Sequence, residues 1–183
     1  MVTLIAGASH TGKTLLATRL AKKYGCLALS IDHLKMGMIR SGFTGLTPYD
    51  DEGLEALLWP IVREIVKTAV ENRQELVVEG CYIPFGWRGD FSDGCLPQIR
   101  YICLAMSEAY IEGHFDAVLS HASDVEQRLD DSGCTRQLLL EENARSIAKC
   151  REYGLDVYVI DSEYSLPRSE ERRVGKECLE WWW

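Results

Sequence analysis

No stretch of the 183 residues approaches the roughly 18 consecutive apolar side chains that a membrane-spanning helix requires. The opening "MVTLIAGAS" is too short an apolar run for a secretory leader and has no basic residue before it, so the expectation is a cytoplasmic chain with no membrane partner. A surplus of basic charge is missing too. With 20 Lys and Arg against 28 Asp and Glu, the net charge is -8, which offers no positive field to hold duplex nucleic acid, and none is expected as partner. The seven cysteines are odd in number and contain no C-x-x-C pair, which argues against a disulfide framework and a zinc site. Internal repeats, low-complexity tracts and interdomain linkers are absent as well, leaving one domain of ordinary size.

What the chain does contain is an alternation of short apolar runs with longer helical patterns, the signature of a parallel sheet covered by helices. Strands are predicted at 2–7 (VTLIAG), 26–31 (CLALSI), 75–80 (ELVVEG), 99–105 (IRYICLA) and 156–161 (DVYVID). A helix follows the first strand and stops at Gly25. A second long helix is expected from Thr47 as N-cap, with Pro48 in its first turn and a kink at Pro60. Ser107 can cap a further helix, and residues 135–154 read as another leading into the last strand. The polar stretch at about 123–136 is a candidate flap. Residues 165–183, ending in three tryptophans, show no periodicity and read as a non-native or disordered tail, which leaves 1–164 as the domain.

The octapeptide GASHTGKT spans residues 7–14 between the first strand and the first helix. Gly7, Gly12, Lys13 and Thr14 match G-x-x-x-x-G-K-[ST] in the context that motif needs. Glycines let the backbone of Gly7, Ala8, Ser9, His10, Thr11 and Gly12 wrap with N–H groups towards phosphate oxygens, and the helix start adds partial positive charge. His10 sits at a variable position, where an exposed loop role competes with phosphate contact. Lys13 should reach the β- and γ-phosphates, and the Thr14 hydroxyl should take one position on Mg2+.

Two carboxylates carry the rest of the chemistry. Asp32 follows the second strand, and in a doubly wound sheet ligands gather at the carboxyl ends of strands. It can accept a proton from an acceptor hydroxyl, or it can simply cap the helix that begins there. Lys35 and Arg40 further along that helix can hold an acceptor. Glu79 ends a strand too apolar to be exposed, the usual place for an acid that orders the water shell of a nucleotide's metal ion.

With these residues in hand the chain resembles the adenylate kinase-like group of small P-loop kinases over about residues 1–164. "DHLK" looks like the D-x-x-[RK] of a monophosphate-binding segment, giving Asp32 and Lys35 acceptor-side roles. "RLDD", starting at Arg128, is similar to the R-x-D-D of an adenylate kinase lid, and Arg145 falls where a second phosphate-contacting arginine is expected. Arg136 is a further candidate. The resemblance implies a three-layer α/β P-loop fold, a five-stranded parallel sheet in the order 2-3-1-4-5 and a lid. It departs from nucleoside-monophosphate kinases at Ile83, where an arginine would grip the acceptor phosphate. Arg88 lies farther along, and the aromatic "CYIPFGW" suggests an acceptor pocket with apolar walls. The expected function is transfer of the γ-phosphoryl of ATP, with Mg2+, to a small hydroxyl metabolite or nucleoside monophosphate, by a monomer or homodimer. A nucleotide-binding switch or slow hydrolase without such an acceptor is the alternative.

Overall fold

The computed structural model describes residues 1–120 and 133–167. Five strands, β1 (Val2–Gly7), β2 (Leu27–Ser30), β3 (Leu76–Glu79), β4 (Ile99–Met106) and β5 (Val157–Ile160), form one parallel sheet in the order β2-β3-β1-β4-β5. The expected order is the one observed, and every strand lies within about one residue of its expected bounds. Five helices connect them: α1 (Lys13–Tyr24), α2 (Ile31–Arg40), α3 (Asp51–Glu71), α4 (Glu108–Ser120) and α5 (Arg136–Glu152). No helix among the described residues is long and apolar enough to cross a membrane.

The chain divides into two compact units. The first comprises Met1–Ala6 and Ala17–Tyr101. Within it Val2, Leu4 and Ile5 of β1 are wholly buried, as expected for a strand flanked on both edges and covered on both faces. The register pairs Ile5 with Glu79 and Glu79 with Ser30, so β2 and β3 finish level and β1 runs two residues further, to Gly7. Helix α3 turns Leu54, Leu58, Val62, Val66 and Val70 inwards at four-residue spacing, one apolar stripe of a surface helix.

Its start differs from expectation. Asp50, not Thr47, is the N-cap, and the Thr47 N–H and hydroxyl both donate to Asp50 Oδ2, at 2.6 and 2.7 Å. Thr47 thus spends its polar groups closing a turn before the helix, and Pro48 lies outside. The helix continues through Pro60.

A second correction concerns the aromatic segment. Tyr82, Ile83, Trp87 and Phe91 are buried. Trp87 stacks on Tyr101 with centroids 5.7 Å apart, Phe91 meets Trp87 and Trp59 edge-on, and Trp59 Nε1 donates to Asp90 Oδ2 at 2.8 Å. Trp59, Trp87, Phe91 and Tyr101 fill the core of the unit, so Trp87 is packing and not pocket wall, whereas the Tyr82 hydroxyl reaches Asp51.

The second unit comprises Gly7–Leu16 and the chain from Ile102 onward. Its core gathers Met106, Tyr110, Ile111, Val118, Leu139 and Ile160. Ser107 Oγ accepts from Tyr110 N at 3.1 Å, the expected cap of α4, whose backbone breaks at His114 (φ -131, ψ 18). Thr135 caps α5 through its hydroxyl, which accepts from Leu138 N. Buried Asn143 accepts from Met106 N and donates to Leu139 O, both at 2.7 Å, tying α5 to the end of β4. Beyond β5, Ser165 Oγ lies 2.9 Å from the Tyr158 hydroxyl, and Leu166 is buried. The six cysteines among the described residues form no disulfide with one another.

Candidate functional site

In the second unit the octapeptide is shaped by backbone sterics. Gly7 has φ +136, and a Cβ there would strike the Leu104 backbone. Gly12 has φ +86, with the Tyr164 hydroxyl where a Cβ would stand. Only glycine meets both demands. Between them His10 takes φ 62, the left-handed region that a non-glycine residue adopts in tight loops. The loop is then tied to itself. Thr11 Oγ1 donates to Ala8 O at 2.9 Å and Lys13 Nζ donates to the same carbonyl at 2.7 Å. Lys13 is almost fully buried, which holds its ammonium over the loop as part of α1's first turn. Leu16 N donates to Gly12 O, so Gly12 opens the helical ladder and Lys13 and Thr14 stand at its positive end.

The sequence reading missed Glu142. This α5 residue accepts a hydrogen bond from Ser9 N at 3.4 Å, a carboxylate oxygen on one of the loop's own donors. Its only signal in the sequence was its place among charged residues of a helix. Arg136 is the first residue of α5, with its guanidinium 5.0 Å from the Phe115 ring centre; Arg145 is exposed farther along. Arg128, and most of the expected flap, lies outside the described residues.

In the first unit Ser30, not Asp32, is the N-cap of α2, and Asp32 is the second residue of the helix. The Asp32 carboxylate pairs with Lys35 Nζ at 2.7 Å, one turn on. Lys35 also lies 3.5 Å from the Tyr82 hydroxyl and 5.2 Å from its ring centre, while that hydroxyl donates to Asp51 Oδ1 at 3.0 Å. The row runs carboxylate, ammonium, neutral phenol, carboxylate. Burial first, then the Asp51 charge, pushes the Tyr82 phenol far above its ordinary range, so Tyr82 keeps its proton and donates it. Arg40, the last residue of α2, is exposed eight residues beyond Asp32, about 12 Å along the axis, and does not join this row. Arg88 instead lies 5.7 Å from the Trp87 ring centre. Glu79 is buried at the end of β3.

Mg2+ prefers oxygen ligands and retains several waters, so it is bound through one or two protein oxygens plus phosphates. No group of three or more His, Cys, Asp or Glu suited to a metal occurs among the described residues. Thr14, at the start of α1, and Glu79, at the end of β3, each offer an oxygen donor of the kind Mg2+ takes.

Strand, glycine loop, buried lysine and helix start have the form of the motif read from the sequence, and the sheet order defines a three-layer α/β P-loop fold. No protein-family model matches the chain, and no curated protein sequence does. Solved structures do match. Deoxyadenosine kinase from M. mycoides is similar with a TM-score of 0.53 at 10% identity, over 91% of this chain and 92% of that one. Shikimate kinase from Bacteroides thetaiotaomicron gives 0.50 at 13% identity, over 88% and 85%. A kinase described as putative from Chloroflexus aurantiacus gives 0.50 at 18%, over 87% and 86%. At these identities the likeness is one of fold, that of the P-loop nucleotide and small-molecule kinases.

Proposed function

We propose that the protein is a kinase that moves the γ-phosphoryl of ATP to a small-molecule acceptor. The observation that carries this reading is the loop itself: Gly7–Thr14 has the strand before it, the helix after it, and a buried Lys13 whose ammonium rests on the Ala8 carbonyl. A phosphate oxygen is a stronger acceptor than that carbonyl and would draw the ammonium to itself. In this reading the N–H groups of residues 8–14 bind the phosphates, and Lys13 neutralises charge on the β- and γ-groups. Thr14 and Glu79 serve the Mg2+ ion, which when bound screens phosphate charge.

Asp32 serves the acceptor. For a hydroxyl acceptor, its oxygen forms the new bond to γ-phosphorus and its proton passes to Asp32. The bond from γ-phosphorus to the bridging oxygen breaks, and ADP leaves with that electron pair. Lys35 is a positioning residue that holds the Asp32 carboxylate through the 2.7 Å ion pair. Arg128 and Arg145 are assigned to the charge that spreads over the transferring group. Arg40 supports acceptor binding at most from the far end of α2.

The test is ADP release from ATP and Mg2+ in the presence of pooled hydroxyl metabolites and nucleoside monophosphates. Release that rises with one pool supports the kinase. Release that is slow and indifferent to every pool supports a switch or hydrolase instead.

A further inference from the structure

Two neighbouring residues of the octapeptide are engaged by the chain itself in opposite senses. The Ala8 carbonyl accepts from the Lys13 ammonium at 2.7 Å, and the Ser9 N–H donates to Glu142 Oε2 at 3.4 Å. The first contact keeps positive charge where a phosphate can use it. The second sets negative charge where a phosphate would stand. The Ser9 bond is longer than the usual distance of about 2.9 Å, so it is readily exchanged for a better acceptor.

Helix α5, which carries Glu142, is held in place. The next residue, buried Asn143, accepts from Met106 N and donates to Leu139 O, both at 2.7 Å, and Thr135 caps the start of the helix. Octapeptide, α5 and the end of β4 all belong to the second unit. With the helix tied, making room for a phosphate at Ser9 falls to the half-buried Glu142 side chain, which must rotate away. Glu141 beside it faces no such conflict, because its exposed carboxylate accepts from Gln137 Nε2 at 2.7 Å within the helix.

We propose that Glu142 is a specificity-determining residue of the loop: it holds the Ser9 N–H in place of a phosphate and so sets the loop against bare anions and in favour of a nucleotide whose charge Mg2+ shares. The inference rests on the reading that this loop takes a nucleotide. A carboxylate and a phosphate oxygen repel when both seek one N–H, and the repulsion grows with the charge left on the phosphate. Selectivity is a difference of affinities, and a like charge set against the unwanted ligand creates it as well as a new bond to the wanted one does. A metal-free nucleotide meets Glu142 with its full charge. The magnesium complex meets it with less.

Calorimetric titration of the full chain with the non-hydrolysable analogue AMP-PNP, once with EDTA and once with Mg2+, tests this. Glu142→Gln keeps an oxygen able to accept from Ser9 N and removes the charge. Its affinity for AMP-PNP in EDTA is expected to rise about tenfold over wild type, with a smaller rise in Mg2+. Glu141→Gln, which removes the same charge one residue away, should leave both affinities near those of wild type. An unchanged or lower affinity of Glu142→Gln in EDTA overturns the proposal. So does an equal rise in the two variants, which would mark the general field of α5 and not the contact, and so does a rise of equal size in Mg2+, which would make Glu142 an obstacle without selectivity. If wild type and both variants all fail to bind AMP-PNP with Mg2+ present, the nucleotide reading itself falls, an outcome distinct from the other three.

Discussion

The loop proposed for the nucleotide, in the second unit, and the row proposed for the acceptor, in the first, are built on opposite principles. The loop is made of backbone. Positive φ at Gly7, His10 and Gly12 aims it, and Ala8 O anchors both Thr11 and Lys13. The acceptor row is made of side chains, Asp32, Lys35, Tyr82 and Asp51, drawn from α2, α3 and the stretch after β3. In the proposed reading the backbone cradle takes what all nucleoside triphosphates share, and Asp32, the first member of the side-chain row, takes the acceptor.

The largest expected effect separates the two. Lys13→Ala should abolish turnover, with a loss of at least about a hundredfold, and should weaken ATP binding in a protein that still folds, because the one side-chain charge over the loop is gone. Titration calorimetry with ADP release measures both. Unchanged affinity and turnover would reduce the octapeptide to a turn. Next comes Asp32→Asn. If the acceptor row acts apart from the loop, ATP affinity stays constant while acceptor-stimulated kcat falls by on the order of 10²–10⁴. Loss of ATP binding in this variant would break the division between the two regions.

Trp87→Ala probes the aromatic core of the first unit. Its ring is buried against Tyr101 and Phe91, so truncation should cost about 3–5 kcal/mol in denaturant unfolding with no direct change at the loop. A cost below about 1 kcal/mol would mean the aromatic stretch is a pocket wall after all.

The smallest effect is a slope. The folded state holds the Tyr82 proton more tightly than the unfolded chain, whose phenol titrates near 10. The stability this provides is present in full below about pH 10 and is lost as the pH climbs from there towards the folded value. Melting temperatures between pH 8 and 11 should therefore fall more steeply for wild type than for Tyr82→Phe. Parallel curves would mean that Tyr82 is not protected by the row.

The same contrast decides what was legible in the sequence. Strand positions and the loop follow from apolar runs and glycine spacing, which are local signals, and β1 is observed at the predicted residues 2–7; the sheet order followed only from the family resemblance. The acceptor row was half legible. Asp32 and Lys35 are one turn apart in a single helix, so spacing alone pairs them. Tyr82 and Asp51 join them only through the packing of α3, whose start is displaced because Asp50 draws in the polar groups of Thr47. The aromatic stretch misled for a related reason: a run of rings reads alike whether it lines a cavity or fills a core, and only partners such as Tyr101 and Asp90, far along the chain or across the unit, decide. Glu142 was hidden because a contact to a backbone N–H leaves no trace in residue type.

The sheet ends on each side in a strand of only four residues, whereas β4 runs for eight. Leu27, 78% exposed on outer strand β2, would be a hazard on a long flat edge. Four residues offer a second chain only about 13 Å of ladder to extend, too little to hold a stray strand in register. The brevity of the outer strands is thus a safeguard of solubility, one that lets an apolar side chain stand at the rim without inviting the sheet to grow from one molecule into the next.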